Sequence, residues 1–133
     1  MSTINQMMQR KLKQIAHTAS IREAAMRMSS ERVGSLMVER KGQLVGIVTD
    51  TDIVRKAAAA GKSLDKETVE SIMSSPIATI EGNRSVQDAH DMMGDLGIRH
   101  LGVTEKGNLV GLVSVRDLLV YFKRVSEPKI AQD

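Results

Sequence analysis

Two short segments of the chain repeat one pattern of residues that could bind a ligand. Gly46–Asp52 reads GIVTDTD, and Gly111–Asp117 reads GLVSVRD. In each segment a glycine and two aliphatic residues precede a hydroxyl residue, and a carboxylate follows the hydroxyl three positions later. This spacing is typical of a helix N-cap. The same carboxylate could also accept hydrogen bonds from both hydroxyl groups of a ribose.

A single motif of this kind is more often a structural helix cap than a ligand site. Three features favour ligand binding here. Gly46 and Gly111 interrupt strand patterns, which often marks the close approach of a ligand or of another backbone. The whole motif recurs, and the helix that follows each motif offers free backbone N–H groups to a phosphate.

The motifs belong to a longer internal duplication. Residues 20–55 align with residues 85–120 without a gap, at an offset of 65 residues, and the register extends upstream to pair Met8 with Met73. Twelve of the 36 aligned pairs are identical. They are Ser20/Ser85, Ala24/Ala89, Met28/Met93, Leu36/Leu101, Val38/Val103, Lys41/Lys106, Gly42/Gly107, Leu44/Leu109, Val45/Val110, Gly46/Gly111, Val48/Val113 and Asp52/Asp117.

Both copies predict the same order of elements: strand, helix, strand, strand, helix. Serine followed three residues later by an acid predicts the start of the first helix. Apolar runs on both sides of a Lys-Gly pair predict a β-hairpin. We therefore expect an α+β fold of two tandem β-α-β-β-α units, with one repeat in residues 1–62 and the other in 63–133. A short helical turn is expected near Val69–Met73 in the polar link.

The composition excludes several classes of function. The chain has 133 residues, no cysteine and two aromatic residues. Disulfides, thiolate zinc sites and cysteine nucleophiles are therefore excluded. No apolar stretch approaches the length of a membrane span or of a signal peptide, so we expect a soluble cytoplasmic protein without membrane contact. The net charge of +3 is spread along the chain, and this argues against nucleic acid as a partner.

The doubled motif, the stretch VESIMSSPIATI and the stretch IRHLGV…GNLVGLVSVRDLL resemble the CBS-domain family in its paired form. The resemblance covers nearly the whole chain. It implies two β-α-β-β-α units related by a pseudo-two-fold axis, with the sheets packed together and the helices outside. It also implies a non-catalytic regulatory module that binds an adenosine-containing ligand such as AMP, ADP, ATP, NAD or S-adenosylmethionine between the repeats, and that forms a homodimer.

Carried over position by position, the resemblance implies ribose-binding pairs at Thr49 with Asp52 and at Ser114 with Asp117. It further implies phosphate contacts and adenine-side contacts. The phosphate candidates are Arg99, His100 and Arg116, and the adenine-side candidates are Thr79 and Ile77.

The two copies differ in their cations. The first copy has Gly34, Ser35 and Thr51 where the second has Arg99, His100 and Arg116, and Asp50 adds a negative charge. Phosphate binding at the first motif would need Arg10, Lys11 or Lys13 to supply the positive charge. We therefore expect ligand phosphate at the Ser114–Asp117 motif first.

The sequence is also compatible with other functions. One is an enzyme acting on nucleotides, although the sequence contains no nucleophile–base pair and no P-loop. A second is a protein or nucleic-acid interaction module without ligand binding. Asp50 and Asp52 could form a metal site, but we expect no metal because Asp52 fits a helix cap. The apolar run Leu118–Phe122 predicts either burial or a dimer face.

Overall fold

The computed structural model describes residues 2–126, and these form two compact units. The first-repeat unit comprises Leu12–Ile77. The second-repeat unit combines the segment that ends at Lys11 with the segment that starts at Ala78. Both units have the predicted order of elements, and the α+β fold of two β-α-β-β-α units is confirmed.

The first-repeat unit contains one three-stranded sheet with helices packed against it. Its strands are β1 (Gln14–Ala16), β2 (Ser35–Arg40) and β3 (Gln43–Thr49), in that spatial order. β1 and β2 are parallel, and β2 and β3 are antiparallel. Helix α1 spans Ile21–Glu31, and α2 (Asp50–Asp52) continues into a π-helical segment, Ile53–Ala58.

The second-repeat unit has the same topology. Its strands are β4 (Thr79–Glu81), β5 (His100–Glu105) and β6 (Asn108–Ser114), and its helices are α3 (Val86–Leu96) and α4 (Val115–Ser126). β4 is parallel to β5, and β5 is antiparallel to β6. In this unit the last helix is α-helical throughout.

The helices α1 and α3 begin where the serine-acid spacing predicts. The Ser85 hydroxyl accepts a hydrogen bond from the Asp88 N–H at 3.0 Å, and the Asp88 carboxylate accepts one in return from the Ser85 N–H. Apolar residues on one face then pack into the core of the unit, because they recur at helical spacing. In α3 these buried residues are Val86, Ala89 and Met93.

Both hairpins turn at the predicted Lys-Gly pairs. Lys41 and Gly42 have φ angles of 51° and 79°, and Lys106 and Gly107 have 52° and 81°. Two consecutive left-handed residues are typical of a type I′ turn, whose twist matches that of the flanking strands. The predicted turn near Val69–Met73 is a 3₁₀ turn at Val69–Ser71.

A leading segment precedes each repeat: the residues up to Lys11 precede the first repeat, and residues 63–77 precede the second. Each leading segment packs against the strands and helices of the other repeat, which form its body. Ile4 is fully buried in the core of the second-repeat unit, and Val69 is fully buried in that of the first-repeat unit. Gln9 pairs with Leu112, and Ser74 pairs with Ile47 in the equivalent place. The compact units therefore differ from the consecutive halves 1–62 and 63–133. In each half, the buried apolar residues of the leading segment belong to the core of the unit that the other half mainly forms.

Candidate functional site

The second motif lies where β6 ends and α4 begins. The Ser114 N–H and the Ser114 hydroxyl both donate to Asp117 Oδ2, at 2.8 and 3.0 Å. The Asp117 N–H donates back to the Ser114 hydroxyl at 3.2 Å. This reciprocal cap satisfies part of the helix N-terminus and fixes the carboxylate at the strand-helix junction.

The second carboxylate oxygen of Asp117 faces a weaker partner. Asp117 Oδ1 accepts a hydrogen bond from the exposed amide Nε2 of Gln9 at 3.1 Å. A carboxylate has about four acceptor positions, and the bonds from Ser114 and Gln9 use three of them. Asp117 can therefore accept one further hydrogen bond, and a second one if the Gln9 side chain rotates away.

Three further candidate residues lie around this carboxylate. His100 is half-buried and pairs with Ser114 across the β5–β6 ladder. The carbonyl of Arg99 accepts the Val115 N–H at 2.9 Å, so Arg99 lies beside the first residue of α4. Arg116 is exposed in the first turn of α4. Arg99 and Arg116 thus flank the start of α4 in the backbone, and the N-terminus of this helix favours an anionic group.

Thr79 lies on the same sheet, one strand further along. It is exposed and pairs with Gly102, which is two residues from His100 on β5. Because paired residues share a face and the side-chain period is two, Thr79, His100 and Ser114 face the same side of the sheet. The second-repeat unit thus brings six of the nine candidate residues to one sheet and the start of its last helix.

The first motif has the same cap but a different environment. The Thr49 N–H donates to Asp52 Oδ2 at 3.0 Å, and the Asp52 N–H donates to the Thr49 hydroxyl at 3.1 Å. Asp52 Oδ1 contacts the ammonium group of Lys56 at 3.0 Å, and that group also donates to the carbonyl of Ile72 at 3.3 Å. The Asp52 side chain is only 10% exposed. Its carboxylate is therefore buried and neutralised by a cation.

The adenine-side candidates fall in different units. Ile77 is half-buried and belongs to the first-repeat unit, as do Thr49 and Asp52. Thr79 belongs to the second-repeat unit.

The motif glycines make room for protein backbone. A Cβ atom at Gly111 would lie 2.6 Å from the Met8 sulfur and 2.9 Å from the Gln9 carbonyl oxygen. At Gly46 it would lie 2.7 Å from the Met73 sulfur and 2.8 Å from the carbonyl oxygen of Ser74. Of the two explanations that the sequence allowed, close approach by another backbone accounts for both glycines. They therefore do not indicate a ligand.

No group of three or more His, Cys, Asp and Glu side chains among residues 2–126 is arranged to hold a metal ion. Asp50 accepts a hydrogen bond from the Thr51 N–H at 2.8 Å, and His17 contacts Glu70 at 2.8 Å.

Within the same described part of the chain, no helix is long and apolar enough to cross a membrane.

Sequence reasoning missed two residues that contact the motif carboxylates. Lys56 follows Asp52 at i,i+4, a spacing at which opposite charges pair on a helix, so the sequence contained this signal. Gln9 reaches Asp117 from 108 residues away in the sequence. No local pattern could have indicated that contact.

The fold and the duplicated motif define a class of protein: a tandem pair of β-α-β-β-α modules, each with a hydroxyl-carboxylate cap between its last strand and last helix. A family model for the CBS domain matches residues 4–59 and 69–124. The chain therefore belongs to the CBS-domain family, as its motifs indicated.

Relatives of known sequence agree with this assignment. The CBS domain-containing protein YhcV of Bacillus subtilis is 34% identical over 121 residues, which cover 90% of this chain and 85% of that protein. The uncharacterized protein MK0525 of Methanopyrus kandleri is 36% identical over 99 residues, or 73% of this chain. The match spans half the length of MK0525.

Solved structures have the same fold. A candidate signal-transduction protein with CBS domains from Burkholderia ambifaria superposes with a TM-score of 0.89 at 26% identity, covering 97% of this chain and 99% of that one. The CBS domain pair of protein MJ0100 has a TM-score of 0.79 at 25% identity, covering 94% and 98% of the two chains. That structure is a complex with 5′-methylthioadenosine and S-adenosyl-L-methionine.

Proposed function

We propose that this protein is a non-catalytic regulatory module that binds an adenosine-containing nucleotide, such as AMP, ADP, ATP or NAD, at the Ser114–Asp117 motif. The observation that carries the proposal is the carboxylate of Asp117. It is fixed at a helix N-terminus, retains acceptor capacity, and has Arg99 and Arg116 close to that terminus. The adenosine compounds bound by the CBS pair of MJ0100 support the choice of ligand class.

Each part of such a nucleotide matches a group at this site. The ribose hydroxyls would donate to Asp117, which accepts hydrogen bonds and donates none when it is ionised. The phosphate would lie at the start of α4, near Arg99, His100 and Arg116. Thr79 would contact the base from β4, and the adenine-side role of Ile77 stays a prediction from the resemblance.

Regulation would follow from a shift of population. A ligand that binds one conformation better stabilises that conformation by the difference in binding free energy. A partner protein would respond only if it distinguishes the same conformations. The homodimer and the cytoplasmic location remain predictions from the resemblance and the composition.

Calorimetric titration of the whole protein with AMP, ADP, ATP, NAD and S-adenosylmethionine tests the proposal. We expect at least one of them to bind, and we expect Asp117→Asn to weaken that binding by about tenfold or more, because it removes the charge-assisted acceptor. Asp95→Asn, an exposed substitution in α3, is the matched control and should bind as the wild type does. Failure of all five compounds to bind the wild type would refute the proposal.

A second comparison tests the phosphate contacts. Arg99→Ala and Arg116→Ala should weaken the binding of AMP and leave the binding of adenosine nearly unchanged, since adenosine carries no phosphate. Equal losses for AMP and adenosine would contradict the roles of these arginines.

A further inference from the structure

Lys56 forms an ion pair with the carboxylate of Asp52, the group that would bind a ligand at the first motif. Its ammonium group lies 3.0 Å from Asp52 Oδ1 and 3.3 Å from the carbonyl oxygen of Ile72. The remaining oxygen, Asp52 Oδ2, accepts the Thr49 N–H. Both oxygens of this carboxylate therefore have partners from the protein, and one of these partners carries a full positive charge.

The second motif has no cation at the matching position. Tyr121 stands 65 residues after Lys56 and packs against the core of the second-repeat unit, with its ring against that of Phe122. The corresponding carboxylate oxygen of Asp117 is bonded to a neutral amide from Gln9. The two motif carboxylates thus have different partners, an ammonium group at Asp52 and a neutral amide at Asp117, although the caps are nearly identical.

This difference decides which motif a neutral hydroxyl can enter. At Asp117 a ribose hydroxyl would replace a neutral, exposed amide, which exchanges one ordinary hydrogen bond for another. At Asp52 it would replace an ammonium group, whose charge-assisted bond is roughly twice as strong as a neutral one. The Asp52 side chain is also 10% exposed, so water and ligand reach it poorly.

Phosphate would not offset this loss at the first motif. Gly34, Ser35 and Thr51 stand in place of the cations of the second copy, and the exposed carboxylate of Asp50 lies in the first turn of α2. Of the two cations that follow the motif, Arg55 and Lys56, the one that contacts the motif carboxylate is Lys56, and its charge is already paired with Asp52.

We propose that Lys56 closes the first motif to ligand, so that each chain binds one adenosine nucleotide, at the Ser114–Asp117 motif. This inference rests on the function proposed above and specifies its stoichiometry. Lys56 is therefore a specificity-determining residue, which acts by holding the Asp52 carboxylate rather than by touching the ligand.

Calorimetric stoichiometry with AMP on the full chain tests this inference. We expect one site per wild-type chain, loss of that site in Asp117→Asn, and no change in affinity in Asp52→Asn. Lys56→Gln replaces the cation by an amide like that of Gln9, and Lys56→Met removes the donor. Both variants should retain binding at the Ser114–Asp117 motif with unchanged affinity. Both should also gain a second, weaker site at the Thr49–Asp52 motif.

The reciprocal substitution is the matched control. Tyr121→Lys places an ammonium group four residues after Asp117 and should weaken AMP binding by about tenfold or more, by analogy with the charge-assisted pair at Asp52. Circular dichroism at the titration temperature selects the variants that remain folded, and Lys56→Gln and Lys56→Met serve as independent tests of the same residue.

The outcomes separate this inference from the function itself. Two sites in the wild type, or a single site in both folded Lys56 variants, would overturn the inference while leaving nucleotide binding intact. Weaker AMP binding in Lys56→Gln and Lys56→Met would also overturn it, because Lys56 would then contribute to the ligand site. Absence of binding in the wild type and in every variant would instead refute the proposed function.

Discussion

Because Gly111 has no side chain, the segment that contains Met8 and Gln9 can cross β6 at close range. The Gln9 N–H donates to the Leu112 carbonyl at 2.8 Å, and the Leu112 N–H donates back to the Gln9 carbonyl at 2.9 Å. This pairing brings the Gln9 backbone and the Met8 side chain over Gly111. A methyl group added at Gly111 would lie closer to the Gln9 carbonyl oxygen than side-chain carbons normally approach.

We predict that Gly111→Ala lowers the free energy of unfolding by about 1–3 kcal/mol, the usual range for overpacking a well-packed site. Met8 could move because its side chain is flexible, but the Gln9 carbonyl is tied to β6. Equilibrium unfolding in urea measures the change. Gly94→Ala is the control: it lies in α3 with open space around it, and it should stabilise the protein by about 0.5–1 kcal/mol. Equal effects of both substitutions would contradict the steric explanation.

At the scale of elements, the two hairpins depend on lysines in a backbone conformation that lysine seldom adopts. Lys106 has φ 52° at the first turn position, where asparagine is preferred in type I′ turns. We predict that Lys106→Asn raises the free energy of unfolding by about 0.5 kcal/mol, because asparagine enters the left-handed region at lower cost. Lys106→Val should lower it by about 1 kcal/mol. Urea unfolding of both variants checks the order, and a stabilising valine would show that the turn differs from this description.

Glu70 links the 3₁₀ turn of the leading segment to two strands of the first-repeat unit. Its carboxylate contacts His17 Nδ1 at 2.8 Å, next to the end of β1, and pairs with Arg40 at the end of β2. The hydrogen bond with His17 is the largest of the effects that lower the pKa of Glu70 below its usual value of 4.5, and the charge of Arg40 adds to it.

We predict that Glu70→Gln destabilises the protein at neutral pH, and that the difference from the wild type disappears in acid. Because the pKa of Glu70 is lower in the folded state than in the unfolded chain, its contribution to stability is complete above the unfolded value. It is then lost as the pH falls through the folded value. Urea midpoints between pH 7 and pH 3 measure this. Glu67→Gln, in the same link, is the control, since Glu67 forms no ion pair within the described residues. A gap between wild type and Glu70→Gln that is independent of pH would contradict the prediction.

Local patterns in the sequence predicted most elements and caps of this fold, because those depend on residues three or four positions apart. Ser85 with Asp88 and Lys106 with Gly107 are examples in which a short spacing determines the backbone. The exchange of leading segments was not predicted. Met8 had been aligned with Met73, but the alignment of two copies does not tell which body each segment packs against. The contact of Gln9 with Asp117 depends on that same exchange.

At the scale of the whole molecule, the exchange means that neither of the consecutive halves, 1–62 and 63–133, contains the complete core of one unit. The core of the first-repeat unit includes Val69 and Ile72, which are 0% and 1% exposed and which follow the first repeat in the chain. The second-repeat unit takes its buried Ile4 and Met8 from the beginning of the chain. Each half therefore lacks core residues that the other half supplies, so a cut after residue 62 is expected to disrupt both units.

Two fragments of nearly equal length test this dependence. We predict that residues 12–77 unfold cooperatively, and that residues 1–62 do not. Complete burial of an aliphatic side chain contributes about 1.5–3 kcal/mol, so losing Val69 and Ile72 removes about as much as the few kcal/mol that a core of this size supplies. Residues 1–62 also lack Ser74, whose N–H and carbonyl both bond to Ile47 on β3 at 2.8 and 3.0 Å. Urea unfolding followed by circular dichroism compares the fragments, and amide exchange at Ile47 reports the missing pairing. Equal cooperativity and equal protection in the two fragments would show that residues 63–77 are dispensable for the first-repeat unit.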